Sequence, residues 1–394
     1  MAGDCTRQIP RRGFLLSLAA TILMMAAASA PSLFYPQIAE QLGLVPVATT
    51  LVFAVYTFTL LAALLYLGPL SDYIGRRPVV TAGSLALALS LAMFWFAGGL
   101  ATLLVARALQ GLAAGLLIPA LSAMMIDFEP PSHPNIAALW NTIGPMIGLG
   151  TGALGAALLL DLTPEPTTAV FGPLVLAFLT VAATVWSTPE LVPKTRIRRG
   201  DLRPRFMVPL HLRRMFTAGV PAIIAGWATN GLFLALGAGL VGSELGGSTH
   251  THAGIVIFAL AISGVTASSV LQRRSARTIS LYATSALAFG TAASIVALAL
   301  GSYPAYVVSV AIVGSGFGTA FLGVLRTLMP HTASSERAAV MAVIYTVAYL
   351  AFGVPTIVAG LLVPVLTLSG TMTVLGAIII ALSLAATVLR LRIP

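Results

Sequence analysis

The side chains able to do chemistry are few, and their spacing limits the chemistry open to them. Asp and Glu number 11, Lys and Arg 21 and His 5 in 394 residues. One acid, Asp72, and two arginines, Arg76 and Arg77, crowd into Gly68-Pro69-Leu70-Ser71-Asp72-Tyr73-Ile74-Gly75-Arg76-Arg77-Pro78. Arg107 stands among Leu103, Leu104, Val105 and Leu109, and shares a helical face with Gln110 and Ala114 at i+3 and i+7. Burying such an arginine in a bilayer costs at least about 2.5 kcal/mol, which marks a functional candidate, although its long stem also allows it to snorkel to an interface. Groups of these kinds pair charges, orient ligands and pass protons. Bond-breaking chemistry finds no constellation: there are no paired buried carboxylates, no H-E-x-x-H and no phosphate loop, and Gly314-Ser315-Gly316 lacks the G-x-S-x-G frame. No enzyme, metal or cofactor is expected, and one cysteine, Cys5, excludes an intrachain disulfide.

Positioning these residues falls to helices in a bilayer. Hydrophobic residues make up 58% of the chain and mean hydropathy is +0.99, which no soluble fold could hide. A span needs about 20 apolar residues. Beyond a first helix running to Pro36, spans are expected at about 47–67, 79–98, 102–125, 135–160, 168–188, 215–240, 253–271, 279–300, 304–328, 338–362 and 370–389. Those twelve helices divide into bundles of six, residues 1–188 and 215–394, joined by a basic linker, 189–214, an arrangement that suggests duplication. Arg11-Arg12-Gly13-Phe14 followed by Ala28-Ser29-Ala30 imitates a twin-arginine signal peptide. The apolar run continues through Pro31 to Pro36, however, and its removal would break the six-plus-six count. With both termini inside, every Lys and Arg except Arg107 falls on the cytoplasmic side, as retention of positive charge requires. The pI near 10.5 therefore reports topology rather than nucleic-acid binding. Arginine far exceeds lysine, with Lys194 alone, which hints at a bacterial, GC-rich source and an inner-membrane location.

The loop pattern G-x-x-x-D-x-x-G-R-R resembles the signature between helices 2 and 3 of the major facilitator superfamily. Gly68 and Gly75 permit tight turns, and Pro78 suits a first helical turn. The resemblance implies an all-α fold of two pseudo-symmetric six-helix bundles. It also implies that Asp72 approaches the N-terminus of helix 11, where the dipole favours an anion, and that Arg76 pairs with Asp127, latching the halves on the inner face. The corresponding stretch of the second half, Gln272-Arg273-Arg274-Ser275-Ala276-Arg277, lacks the acid and the glycines, so a one-sided latch is expected. Arg107-Ala108-Leu109-Gln110-Gly111 resembles the family's R-x-x-Q-G element, associated with proton coupling. Gly144-Pro145-x-x-Gly148 resembles the helix 5 motif of drug-efflux members, with Trp140 and Leu149 standing where glycines are usual; close helix packing explains the same residues. Pro31 and Tyr35-Pro36 resemble the x-P-x-x-x-x-P element of drug/proton antiporters.

No carboxylate lies deep in a span, which argues against polycationic cargo. Asp161, at the outer end of helix 5, is the best remaining proton acceptor, and an interfacial role fits it equally. Gln110, Asn141, Trp227, Asn230, Tyr345 and Tyr349 are candidates for a central cavity; Trp227/Asn230 and Tyr345/Tyr349 each share a helical face, a pattern that core packing also produces. With Arg107 they describe a mostly apolar cavity holding one positive charge. The expected function is proton-coupled export of small neutral or weakly anionic amphipathic molecules by a monomer in the lipid bilayer. A proton-linked importer or facilitator of the same fold is the alternative.

Overall fold

In hydrocarbon a backbone amide finds no partner except within its own helix, so charge-free apolar runs become helices. The computed structural model describes residues 2–41, 43, 46–132, 136–192, 206–247, 249–333 and 336–392. Its long helices are α1 (Ala2–Ser29), α2 (Pro46–Leu67), α3 (Arg76–Trp95), α4 (Leu100–Asp127), α5 (Ile136–Leu162) and α6 (Pro166–Thr184). They continue as α7 (Arg213–Glu244), α8 (His250–Leu271), α9 (Ala276–Ala299) and α10 (Tyr303–Leu328). Short helical pieces, Tyr35–Gln41 and Leu70–Ile74, occupy two of the connections.

The last helical run, Arg337–Leu391, is 55 residues long. At 1.5 Å per residue it would extend roughly 80 Å, far beyond a bilayer. It is broken at Thr367, whose φ of 64° and ψ of 175° are not helical. The Thr367 hydroxyl accepts from the Gly370 amide at 3.3 Å, an N-cap for the helix that follows. Residues 337–366 form α11 and residues 368–391 form α12. Both outer ends of the run return to the same face of the protein: Glu336 lies 3.9 Å from His211, and Arg390 lies within electrostatic reach of Arg277. The fold is thus all-α, with twelve long helices among the described residues. Several overrun their expected bounds, α4 and α7 most clearly, because helices extend past the apolar run into the interface.

The two halves repeat one packing plan. α1 packs on α5 and α4, α2 on α4, and α3 on α4 and α6; in the second half α7 packs on α11 and α10, α8 on α10, and α9 on α10 and α12. α1 is a full member of this core, with Met24 and Ala27 buried. Across the halves, α2 meets α11 and α5 meets α8. Small residues allow these approaches: Gly148 and Gly152 face the backbone of Ile22 and Ala26, and Gly254 faces Leu154 and Ala157.

Contact between the halves is not even along the helices. From Asp161 and His250, α5 and α8 stay together as far as Met146 and Gly264. On its other face α5 follows α1, with Gly144 facing Leu18 and Ile22 as Gly148 and Gly152 face Ile22 and Ala26. α2 meets α11 through Thr50 with Gly360 and Thr57 with Gly353. One large apolar core runs through both halves, but a separate cluster (Leu212, Phe216, Ile223, Val324, Leu328, Val340, Ile344 and Ala348) belongs to the second half alone. It lies at the end carrying Arg213, Arg326 and Arg337, hereafter the basic end. The halves therefore share a core toward the Asp161 end and part toward the basic end. Half of the expected linker, residues 193–205 with Lys194 and Arg205 among them, lies outside the described residues.

Candidate functional site

Arg107 is fully buried, at 0% exposure, and so is not a snorkelling residue. α4 carries it toward α1 and α2. Its Nε donates to the Tyr35 hydroxyl, and Nη1 donates to Gln110 Oε1 and, at 3.3 Å, to the Ala28 carbonyl. Gln110 Nε2 donates to the Ala27 carbonyl at 2.9 Å, which fixes the amide that faces the arginine. Four rings surround the guanidinium carbon, with centroids at 5.2 Å (Tyr35), 5.3 Å (Phe94), 5.4 Å (Tyr56) and 6.0 Å (Phe53). A desolvated cation–π contact is worth up to about 2 kcal/mol, so an aromatic cage and carbonyl acceptors hold this charge where no carboxylate is at hand. Nη2 is buried and has no hydrogen-bond partner among the described residues.

Across the interface, Trp227 of α7 sits in a second aromatic group. Its ring centroid lies 4.9 Å from Tyr349 and 6.1–6.4 Å from Phe317, Phe321 and Phe352, and Tyr345 stacks on Tyr349 at 6.3 Å. Phe53 and Phe352 stand 5.2 Å apart, so the Arg107 cage and the Trp227 group are continuous from one half to the other. Trp227 Nε1 and Asn230 Oδ1 are buried without partners among the described residues. Orphaned polar atoms are costly in a low-dielectric interior and each calls for an explanation. Asn141 does not join this group; its Nδ2 donates to the Ser122 carbonyl at 3.3 Å, tying α5 to α4.

At the basic end, Arg76 Nε donates to Asp127 Oδ2 at 3.0 Å, and Nη1 donates to Asp72 and to Ser71 Oγ. Glu190, from beyond α6, accepts the backbone amides of Arg76 and Arg77 at 3.1 and 3.0 Å. A carboxylate there satisfies orphan amides and complements the helix dipole. Arg77 donates to the Thr188 carbonyl, which closes the loop onto the same segment. Gly75 has φ of 99°, and a Cβ at this position would stand 2.6 Å from Glu190 Oε2. Among the described residues the latch expected between halves is not made in this conformation: Asp72 turns to Arg76, its side chain is 61% exposed, and the loop is fastened within the first half. This follows from the parting of the halves at the basic end, which carries the start of α11 away.

Asp161 sits at the opposite end. Its oxygens accept from the backbone amides of His250 (3.0 Å) and Thr251 (2.7 Å) and from the Thr251 hydroxyl (2.5 Å), with His250 Nδ1 at 2.8 Å. This carboxylate caps the N-terminus of α8 and clasps α5 to it, work of an interfacial kind rather than that of a free proton acceptor. Gly144, Pro145 and Gly148 lie inside α5, where Gly144 and Gly148 face α1. Sequence reasoning missed Tyr56, Phe53 and Phe94 around Arg107, Phe317, Phe321 and Phe352 around Trp227, and the Glu190 cap. Only Tyr35 carried a signal, beside Pro36.

A family model described as Major Facilitator Superfamily matches residues 16–356. Among curated proteins, the chain is 29% identical over 38% of its length to the puromycin resistance protein pur8 of Streptomyces alboniger, covering 31% of that protein. It is 31% identical over 36% of its length to the multidrug resistance protein MdtL of Shewanella oneidensis, covering 37% of it. With the multidrug efflux pump LfrA of Mycolicibacterium smegmatis it is 30% identical over 57% of its length, covering 43% of the pump. The matches thus span less than half of each of these relatives.

Proposed function

Because the chain belongs to the Major Facilitator Superfamily and is a multi-pass membrane protein, we propose that it exports small organic molecules by alternating access, driven by protons. The observation that carries this reading is the uneven contact of the halves, joined at the Asp161 end and parted at the basic end. A solute site between two rocking halves needs such an arrangement, with access from one side at a time. We assign the basic end to the cytoplasm, since arginines are retained there; the conformation is then inward-facing. Similarity to proteins named for drug resistance and efflux supports export as the direction.

The cargo is bound between the Arg107 cage and the Trp227 group. Rings supply apolar contact, Arg107 Nη2 and Trp227 Nε1 offer donors, and Asn230 Oδ1 offers an acceptor. One positive charge and no carboxylate favour neutral or weakly anionic amphipathic molecules. When the halves close at the basic end, Asp72 leaves Arg76 for the N-terminus of α11, while Arg76 keeps Asp127. Proteoliposomes with and without a pH gradient test the reading. Accumulation against a substrate gradient that collapses with the pH gradient is expected. Counterflow indifferent to pH would replace it with a facilitator.

A further inference from the structure

The two halves place a short helix–helix connection at the same point of their repeat, between α2 and α3 in the first and between α8 and α9 in the second. In the first, Arg76 is paired with Asp72 and Asp127, while Arg77 donates to the Thr188 carbonyl and keeps a buried Nε that has no partner among the described residues. In the second, Arg273, Arg274 and Arg277 have no carboxylate within ion-pair distance among the described residues. Other polar groups of that connection have partners within the protein. Gln272 donates to the Ser269 carbonyl at 3.0 Å, Ser275 caps α9 by accepting from Thr278, and the Arg274 carbonyl accepts from Arg326. Three guanidinium groups are left facing outward at a membrane surface.

Above them lies a place for a chain. α8 and α9 each pack on α10 with little packing on one another. The gap is a groove of about 460 Å³ lined by Ser263, Thr266, Val270, Leu271, Tyr282 and Ser315. Tyr282 donates to Ser315 Oγ at 2.9 Å across its floor, and Val270 is 68% exposed at its rim. The α8 face that carries Gly254 and Ala261 is turned to α5, so the groove opens away from the inter-half site and onto lipid. Arginine's planar fork matches phosphate oxygens, and a basic residue at a bilayer surface attracts anionic lipid.

We propose that this groove holds an anionic phospholipid, its phosphate on Arg273, Arg274 and Arg277 and its glycerol and upper acyl chain against the groove's hydroxyls and Val270. The intact protein, reconstituted in mixed phosphatidylcholine and phosphatidylglycerol, is extracted, washed with detergent, and its retained lipids counted by native mass spectrometry. Wild type should retain phosphatidylglycerol over phosphatidylcholine by roughly a hundredfold, as three surface arginines imply. R273Q/R274Q/R277Q should lose the preference, and so should Val270→Trp, which fills the groove and leaves every charge in place. R213Q/R214Q, basic residues outside the groove, should keep it. Undiminished preference in the triple variant overturns the site, as does an equal loss in R213Q/R214Q, which would mark general surface charge. Should the triple variant fail to fold, full retention by Val270→Trp overturns it alone.

Discussion

Arg107 is the residue on which the proposed mechanism turns, and its surroundings say which replacement should fail. A lysine keeps the charge but is a compact point donor; it cannot reach Tyr35, Gln110 and the Ala28 carbonyl together while lying among four rings. Arg107→Lys and Arg107→Ala are both expected to insert normally and to lose proton-coupled transport by at least about tenfold. Substrate-evoked pH change in proteoliposomes measures this, and a Lys variant at wild-type rate would show that charge alone suffices. Glu190 acts more simply, through two backbone amides at the start of α3. Glu190→Gln removes the anion from a helix N-terminus and should cost about 1 kcal/mol, seen as a lower thermal midpoint. The arginine was legible in the sequence because a lone charge in an apolar run is improbable without purpose. Its cage was not, since Phe53 and Tyr56 on a membrane helix look the same whether they face lipid or a cation. Glu190 lay 114 residues from the amide it caps, beyond any local pattern.

Among the elements, the α11–α12 connection is the most strained. Thr367, β-branched, sits at positive φ in a region that glycine alone occupies freely. Thr367→Gly relieves roughly 1 kcal/mol or more of strain against the loss of one cap, and should raise thermal stability in detergent. A lower midpoint would mean that the Gly370 cap outweighs the strain. The loop of Asp72 belongs to this scale too. Asp72→Asn is expected to leave insertion and the Arg76–Asp127 pair intact while abolishing transport, since the neutral side chain no longer favours the N-terminus of α11. Full transport by that variant would refute the latch. The span count was readable because hydrophobic length fixes it; that the last two spans form one nearly continuous helical run was not, since Leu366-Thr367-Leu368 offers no glycine or proline to mark the turn.

For the molecule as a whole, the proposal needs the joined end to open. The Cβ of Thr57 lies 3.4 Å from the position of a Cβ on Gly353, close to the separation a disulfide takes. In a background with Cys5→Ser, the T57C/G353C pair should form a disulfide readily, hold α2 to α11 and stop transport, with reduction restoring it. Unimpaired transport with the bond in place would mean that the halves do not part at this end. Asp161→Asn weakens the neighbouring clasp and should make cysteines placed at that end more reactive to impermeant thiol reagents.

Hydrophobic length, the siting of arginines and the glycines of loop 68–78 determined the all-α membrane fold, the repeat and one charged connection, because each follows from what a bilayer tolerates at a given place in the chain. Tertiary structure alone decided that Asp72 faces Arg76, that Asp161 clasps α8, and that rings from α2, α3, α7, α10 and α11 gather round one arginine and one tryptophan. Those contacts join residues far apart in sequence, and which end of the two halves is shut depends on small free-energy differences between whole packings that no local pattern records.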